Sequence, residues 1–386
     1  MALACRQMAD PRLPSVRANV VQGATFVELF FDLVFVYAVT QLTAFVLHDL
    51  TWGGVGRALL LFWLVWWAWT QFTWTLNLAD TEHVLVRLPT LLATAVAFFL
   101  AQAVPHAFST AGAWFAISYV VVRIVGLALQ AWVIGSDQRA SISLWATLSL
   151  TGLTLVLIGG FAPPGPRVWF WLAALVADFA TARLAGRRVW VLEPGHFVER
   201  HGLIVIIALG ESLIAAGVAS SAIERDLTFA LTTSGAVIAT CALWWTYFGT
   251  MHGRFEERMD SQGDTERGGF ARDVFSFWHA AVVAGVISMA VAFEEAIAHP
   301  DAALERGPAA ALTIGAALFV GGLAAAAWRA GISVAVLPRS VVAFAALAAT
   351  PLVSRVPAAA ALWALAFVVS AMDIVEVRMM GRGDQM

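Results

Sequence analysis

Two acidic side chains, Glu28 and Asp32, lie in the apolar stretch FVELFFDLVFVYAVTQLTAF, which covers residues 26–45. A carboxylate at the centre of a membrane helix costs about 2.5–3.5 kcal/mol on insertion scales. Because the two residues are four positions apart, they share one helix face. Two carboxylates this close in a low-dielectric site do not both ionise easily, so one is expected to keep its proton near neutral pH. The pair is therefore a candidate proton donor. In the structural alternative, Glu28 reaches the membrane interface and Asp32 pairs with an Arg of a neighbouring helix.

A second charged group, Glu199-Arg200-His201, opens another apolar stretch at a depth equivalent to that of Glu28. Arg200 is expected to neutralise Glu28 or Asp32, or to bind an anionic group such as a diphosphate through forked hydrogen bonds. The structural alternative is a network of ion pairs inside the membrane that holds two parts of the protein together.

Two further polar residues lie deep in apolar stretches. Glu211 is flanked by Gly210 and Ser212, and a Gly at this place allows the close approach of a helix or a ligand. His279 stands in SFWHAAVVAGV, where it is either functional or a hydrogen-bonding link between helices. The predicted catalytic residues are Glu28, Asp32, Glu211 and His279.

Tryptophan is unusually abundant, with 17 Trp and 25 Phe in the chain. In FWLVWWAWTQFTW, Trp63, Trp66, Trp67 and Trp74 fall on one helix face. Such a face is either plain helix packing or the wall of a cavity, where each ring stabilises a cation by about 0.5–2 kcal/mol. The predicted substrate-binding residues are Trp63, Trp66, Trp67, Trp74, Phe31, Arg200, His201, Asn77 and Trp245.

The composition predicts the elements that must hold these residues. Of the 386 residues, 60% are hydrophobic and 13% are charged, and the mean hydropathy is +0.80. Soluble domains average roughly 45–50% apolar and 25% charged residues. The chain is therefore predicted to be an all-α polytopic membrane protein with about twelve transmembrane helices, since a crossing needs about 20 apolar residues. The twelve apolar runs are residues 26–47, 56–77, 88–104, 111–134, 142–161, 167–184, 198–219, 227–250, 272–296, 308–328, 334–352 and 357–378.

Charge predicts the orientation and excludes several partners. With the amino terminus inside, sixteen Arg fall on the inner side and five on the outer side, as the positive-inside rule requires. Both termini are therefore predicted to be cytoplasmic. The net charge of −3 gives no footprint for nucleic acid. The spacing of Cys5 and Cys241, and the lack of a CxxC or HxxxH pair, predict neither a metal site nor a cofactor.

Three motif pairs indicate an internal duplication. FVE at residues 26–28 recurs at residues 197–199, and Trp-Trp occurs in the following span of each half. DFATARLAGR, from Asp178, matches DIVEVRMMGR, from Asp373. Because six spans per half is an even number, the halves are predicted to be parallel repeats with a cleft between them. The predicted organisation is a cytoplasmic tail (1–25), a first six-helix repeat (26–190) and a second repeat with a cytoplasmic carboxyl terminus (191–386).

The motifs FVELFFDLVFVYAVTQL, WWAWTQF and ERHGLIVIIALGES resemble the bacterial low temperature requirement protein A (LtrA) family over nearly the whole chain. The resemblance implies an integral protein of the bacterial cytoplasmic (inner) membrane. It also implies a link to terpenoid biosynthesis, through some LtrA-like proteins. The chain departs from the family pattern at Leu78, which follows Asn77 where relatives carry Arg.

Two functions are predicted as alternatives. The first is an intramembrane enzyme, similar to a terpene cyclase, for acid-initiated cyclisation or isomerisation of a prenyl substrate. In it an acid protonates an alkene or epoxide, aromatic rings stabilise the carbocation, and a second carboxylate takes the final proton. The second is a proton-coupled secondary transporter, in which buried acids relay protons. The expected partners are a lipophilic small molecule and membrane lipid.

Overall fold

The computed structural model describes residues 23–133, 139–185, 190–219 and 225–383. Apart from one isolated bridge between Ala303 and Pro357, regular structure in this part of the chain is helical. Of the predicted tail 1–25, residues 1–22 lie outside the described residues.

Fifteen α-helices follow one another in the described residues, and three of them are flanked by short segments of other helix types. The α-helices are α1 (Phe26–His48), α2 (Trp52–Leu76), α3 (Val84–Ala103), α4 (Gly112–Val133), α5 (Arg139–Phe161), α6 (Pro164–Ala185), α7 (Pro194–Ala219), α8 (Leu227–Trp244), α9 (His252–Asp260), α10 (Asp264–Ala271), α11 (His279–Ala298), α12 (Arg306–Arg329), α13 (Ser333–Ala348), α14 (Thr350–Val353) and α15 (Ala358–Gly383). A 3₁₀ turn (Val104–His106) follows α3, and π-helical segments follow α8 (Trp245–Gly249) and precede α11 (Arg272–Trp278).

Ten of the twelve predicted apolar runs fall on α1–α7, α11 with its π segment, α12 and α15. Run 227–250 covers α8 and the π segment after it, and run 334–352 covers α13 and the start of α14. Eight helical stretches in the described residues are long and apolar enough to cross a membrane. The prediction of an all-α polytopic membrane protein is confirmed. The sequence did not predict α9 and α10, two short helices between the eighth and ninth runs; α9 is polar and charged, with the sequence HGRFEERMD.

Neighbouring helices follow the same order in the two parts of the chain. In the first part α1 packs on α3, α3 on α4, α4 on α5, α5 on α6, and α2 on α6. In the second part α7 packs on α11, α11 on α12, α12 on α13, α13 on α15, and α8 on α15. The helices up to α6 are called the first half below, and those from α7 the second half. The division into two repeats stays a prediction.

The two halves meet where α1 and α2 contact α7 and α11. The bundle face at which α1 begins is called proximal, and the face at which α1 ends is called distal. Glu28 near the start of α1 contacts Arg200 near the start of α7, and Thr40 farther along α1 contacts Glu211 farther along α7. These two contacts, twelve and eleven residues apart on their helices, show that α1 and α7 run parallel.

The closest helix contact in the second half joins α11 and α12. A Cβ atom added to Gly285 would lie 2.6 Å from the carbonyl oxygen of Gly315, and one added to Gly315 would lie 2.8 Å from the carbonyl oxygen of Gly285. Only residues without a side chain permit this backbone approach. The pair therefore holds α11, which faces the first half, rigidly on α12.

Candidate functional site

Four buried polar side chains meet at the proximal end of the contact between the halves: Glu28, Asp32, His196 and Arg200, here called the proximal ion cluster. Arg200 Nη1 lies 2.5 Å from Glu28 Oε1. Arg200 also binds Asp32 at two points, with Nη2 2.6 Å from Oδ1 and Nε 3.2 Å from Oδ2. One guanidinium group thus bridges the two carboxylates that the sequence places on one face of α1.

Every carboxylate oxygen in the cluster accepts at least one hydrogen bond. Glu28 Oε2 accepts from the backbone N–H and the hydroxyl of Thr25, both at 2.9 Å. His196 Nε2 lies 3.0 Å from Glu28 Oε1, and Trp69 Nε1 donates to Asp32 Oδ1 at 2.8 Å. A buried ion pair is tolerated only when its remaining hydrogen-bonding positions are filled in this way.

The cluster corresponds to the structural alternative for these residues, an ion-pair network between two parts of the protein. The sequence predicts that one of Glu28 and Asp32 keeps its proton, because two close carboxylates do not both ionise easily. In the structure both acids are fully buried and Arg200 lies against both, so a cation offsets their mutual repulsion. Neither acid lines the two cavities described below, so no space for a substrate adjoins them there.

Sequence reasoning missed His196, Thr25 and Trp69 as members of this site. His196 is four residues before Arg200 and therefore on the same face of α7, which is the signal that could have identified it. Thr25 precedes Glu28 by three residues, the spacing of a helix-capping pair. No sequence signal identifies Trp69, since it is one of five Trp within residues 63–74.

Asn77, predicted to bind substrate, instead joins the end of α2 to the chain before α7. Its Oδ1 accepts from the Glu193 N–H at 2.7 Å, and its Nδ2 donates to the Glu193 carbonyl at 3.0 Å. Its own carbonyl lies 3.4 Å from His196 Nδ1. Asn77 therefore fixes the position of His196 and, through it, one side of the ion cluster.

Glu211 lies about 16 Å farther along α7 than Arg200, at 1.5 Å per helical residue. Its Oε1 is 2.5 Å from the hydroxyl of Thr40 on α1, and its side chain is half-buried. Outside the backbone of its own helix, no described atom lies within 4 Å of a Cβ placed on Gly210, so no described helix packs closely there. The alternative that Gly210 makes room for a ligand stays a prediction. Among those residues Glu211 has one neutral partner and no cation.

The two predicted histidines lie together inside the second half, with ring centroids 5.6 Å apart. His279 Nδ1 lies 2.9 Å from the Val274 carbonyl, so it carries the proton, and Nε2 accepts from the Tyr247 hydroxyl at 2.8 Å. His201 Nδ1 lies 2.8 Å from the Phe197 carbonyl. Both rings are fully buried, and this geometry matches the hydrogen-bonding link predicted as the alternative for His279.

The Trp face of α2 is packed against other helices. Trp63 stacks on Phe179 of α6 with ring centroids 4.2 Å apart, and Trp66 Nε1 donates to the Ser276 carbonyl in the π segment before α11 at 2.7 Å. Trp74 Nε1 donates to the Ser276 hydroxyl at 3.0 Å. The face therefore binds α2 to α6 and to the second half, which is the packing alternative for this pattern.

The two remaining aromatic residues predicted to bind substrate, Phe31 and Trp245, differ in exposure. Phe31 is fully buried between Phe35 and Phe72. Trp245 is 55% exposed at the start of its π segment. Phe31 lines neither of the two cavities described next. Trp245 lines a separate open pocket of about 380 Å³ together with Asp373 and Arg378, so its predicted role in substrate binding stays a prediction.

A small cavity of about 30 Å³ lies beside Trp67 and Trp74. Several of its polar lining atoms, including Thr70 Oγ1, Gln71 Oε1 and Gln130 Oε1, have no hydrogen-bond partner among the described residues. The cavity is large enough for one or two water-sized molecules. It is too small for a prenyl chain.

A far larger cavity, of about 640 Å³, opens between the halves at the distal end and is here called the distal cavity. Its walls come from the end of α1, the start of α2, the middle of α11, the start of α12, and α14. Leu42, Val46 and Phe62 line the side of the first half, and Ile287 and Ile314 line the side of the second half. Sequence reasoning missed this cavity because its lining consists mostly of ordinary apolar residues from five separate elements.

No group of three or more His, Cys, Asp or Glu side chains that could hold a metal ion occurs in the described part of the chain. The prediction of no metal or cofactor is not tested by that finding, and it stays a prediction.

Apolar helices long enough to cross a bilayer, with charged side chains buried between them, define a membrane-embedded all-α protein. The chain belongs to the bacterial low temperature requirement A protein (LtrA) family, which matches residues 23–374. The resemblance seen in the motifs is confirmed.

One relative is an uncharacterized protein of Rhizobium meliloti (strain 1021). It is 33% identical over 340 residues, which cover 82% of this chain and 79% of the relative. No solved structure matches the chain. The comparisons therefore give the family and leave the activity to be inferred from the geometry.

Proposed function

We propose that the chain is a proton-coupled secondary transporter, described in a conformation that is closed at the proximal end and open at the distal end. One observation supports this function above all. The same helix, α1, is bound to the second half by the proximal ion cluster and borders the distal cavity at its other end.

The geometry resembles one state of an alternating-access cycle. Asp32 and Leu42 are ten residues apart on α1, so the closed contact and the cavity wall are separated by about 15 Å. In transporters built from two halves, the halves rock against each other around a site near the middle of the membrane. Closing the distal cavity would then open the contact that holds Glu28 and Asp32 against Arg200.

The ion cluster provides a physical reason for proton coupling. Removing one partner of a buried ion pair costs about 3–5 kcal/mol because the other charge is left uncompensated. Because Arg200 binds both acids, protonation of one weakens its pairing and protonation of both leaves the buried cation uncompensated. Arg200 then gains by exposure to water. Protons therefore favour a conformation in which the proximal end is open.

Glu211 is the second acid that we assign to the proton pathway. The Thr40 hydroxyl has one proton and lies near both Glu211 Oε1 and the Val36 carbonyl, at 2.5 and 3.3 Å. Among the described residues Glu211 has no cationic partner. An acid at this depth in a membrane helix commonly belongs to a proton pathway.

The enzymatic hypothesis has less geometric support. It needs a free acid beside an aromatic pocket that admits a prenyl chain. In the described residues Glu28 and Asp32 are bound to Arg200, and the Trp face packs on other helices. The distal cavity is bordered by few aromatic side chains, among them Trp52 and Phe62, and by many aliphatic ones.

We also propose the orientation of the protein from its Arg distribution, which places the proximal face and both termini in the cytoplasm. In this orientation the distal cavity opens away from the cytoplasm, in the bacterial inner membrane.

Spin-label distance measurements by electron paramagnetic resonance test the transport cycle without a known substrate. Cys5 and Cys241 are first replaced, and labels are placed across the distal cavity at Val55 and Ser354. A second labelled protein carries a proximal pair at Val84 and Glu257, both exposed. In lipid nanodiscs at pH 7.5 and pH 5, we expect two distance populations for each pair. The lower pH should shorten the distal distance and lengthen the proximal one.

A single population for both pairs that does not respond to pH would contradict the proposal. A change at one end only would also contradict it, because rocking of two rigid halves moves the two ends in opposite directions.

A further inference from the structure

The distal cavity has the size and depth of a ligand site. Its volume of about 640 Å³ lies within the range of about 300–1,000 Å³ that is typical of small-molecule pockets. Arg306 and Leu318 line it on α12, so it extends about 18 Å along that helix. This depth is more than half of the hydrocarbon core of a bilayer, which is about 30 Å thick.

The cavity wall offers little polarity to a ligand. The Ser288 hydroxyl donates to the Ala311 carbonyl at 2.8 Å. The Thr350 hydroxyl lies 2.7 Å from that of Thr313. Because these polar groups are satisfied within the protein, the remaining wall attracts an apolar chain.

Two arginines, Arg306 and Arg355, are the exception in this lining. Both are exposed, and neither forms an ion pair with an acidic residue in the described part of the chain. Arg306 is the first residue of α12, where the helix dipole disfavours a cation. Helix stability therefore does not explain its position.

Arg57, at the same face of the bundle, provides a contrast. Its Nη2 lies 2.6 Å from Asp49 Oδ2, so its charge is neutralised by a neighbour. Arg57 does not line the cavity. The two guanidinium groups that do line it remain available to an anion, and guanidinium groups bind phosphate and carboxylate by paired hydrogen bonds.

We infer that the distal cavity binds an amphiphile with one long apolar chain and an anionic head group. The chain lies against Val46, Phe62, Ile287 and Ile314, and the head group lies at Arg306 and Arg355. A cavity of this volume accommodates one chain more readily than two. Only the further step, that this amphiphile is the transported substrate, rests on the proposed function.

Binding to the purified full-length protein in detergent tests this inference. Three probes share one oleoyl chain: lysophosphatidic acid with a phosphate, oleic acid with a carboxylate, and neutral monoolein. We expect at least one of the anionic probes to bind about tenfold more tightly than monoolein in native mass spectrometry, a difference that modest charge attraction supplies. Comparison of the two anionic probes shows whether phosphate or carboxylate is preferred.

Two pairs of variants locate the binding. The double variant Arg306→Gln with Arg355→Gln should abolish the preference for anionic probes, and Arg57→Gln should leave it unchanged. Ala310→Trp, which fills the cavity, should weaken binding of the anionic probe at least about tenfold. Ala325→Trp on the same helix, outside the cavity, should not.

Equal binding of all three probes would overturn the inference, and so would anionic binding that survives Ala310→Trp, because the arginines would then contact only surface lipid. These outcomes are separate from failure of the transport proposal. Selective binding combined with a single set of spin-label distances retains the amphiphile site and rejects transport. Two conformations without selective binding would instead retain the transport proposal and reject the amphiphile site.

Discussion

Arg200 and Asp32 form a two-point ion pair across the boundary between the two halves of the protein, with Nη2–Oδ1 and Nε–Oδ2 distances of 2.6 and 3.2 Å. Both side chains are buried. In the distal half of the same boundary the described residues form no corresponding ion pair, and the cavity separates α1 and α2 from α12 and α14. Closure of the bundle at one end is therefore concentrated in a few charged side chains.

Replacement of Asp32 by Asn should destabilise the protein by about 1–3 kcal/mol, since Arg200 loses its two-point partner but keeps its ion pair with Glu28. Detergent-induced unfolding, followed by circular dichroism, measures the change. Asp264→Asn is the matched control, because Asp264 forms an exposed pair with Arg267 and such pairs contribute about 0–1 kcal/mol. Equal stability of the two variants would show that the buried pair does not hold the halves together.

Removal of both charges should cost less than the sum of the single losses. In Asp32→Asn with Arg200→Gln, the loss of Arg200 no longer leaves Asp32 unpaired, although Glu28 still loses its arginine. The two effects are therefore expected to be non-additive by at least about 1 kcal/mol. A double-mutant cycle on unfolding free energies gives this coupling. Strict additivity would mean that the contact contributes no interaction energy.

Glu211→Gln should fold normally and remove much of the pH dependence of the spin-label distances. The amide resembles a protonated acid and keeps a hydrogen bond to the Thr40 hydroxyl. The distances of labelled Glu211→Gln at pH 7.5 and pH 5 should therefore be closer to each other than those of the parent protein. An unchanged pH response would exclude Glu211 from the proton pathway.

Gly285→Ala should lower the free energy of unfolding by about 1–3 kcal/mol because the added methyl group collides with the backbone of α12. A Cβ atom at Gly285 would lie 2.6 Å from both the Gly315 carbonyl oxygen and the Phe319 nitrogen. Gly210→Ala is the control within a helix, since no described atom lies within 4 Å of that Cβ. It should be neutral or stabilise α7 by about 0.5–1 kcal/mol. The reverse order of stabilities would contradict the close contact between α11 and α12.

Tyr247→Phe tests whether His279 is structural. Loss of the hydroxyl leaves the buried Nε2 of His279 unpaired, at a cost of about 1–3 kcal/mol. We expect lower stability with the pH response of the spin-label distances intact. A lost pH response at unchanged stability would instead place His279 in the proton pathway.

The helical class and the positions of the twelve long helices could be predicted from the sequence. A long apolar run that enters a membrane must satisfy its own backbone hydrogen bonds, and a helix does so within one segment. The shared face of Glu28 and Asp32 was predictable for a similar reason, since it depends only on helical periodicity. Pairing of Arg200 with Glu28 or Asp32 was one of the two roles expected from its depth in α7, and binding of an anionic group was the other. Each of these features depends on the residue spacing within a single helix, which can be read directly from the sequence.

Features that depend on the rotation and tilt of one helix against another were not predictable. The spacing of Trp63, Trp66 and Trp67 defines a face, but it does not reveal that Phe179 and the π segment before α11 cover that face. The distal cavity likewise results from the distance between five elements. The short helices α9 and α10 were missed because they are too polar and short for a search based on apolar runs.

The contact between Glu28 and Thr25 has a consequence for the start of the first helix. Glu28 Oε2 holds the Thr25 N–H and hydroxyl, while Oε1 binds Arg200, so one carboxylate both fastens the opening turn of α1 and joins the two halves. Any event that draws this carboxylate away from Arg200 also loosens that turn. The first turn of α1 should therefore lose order when the two halves separate. The order of this single turn would then report the conformation of the whole helix bundle.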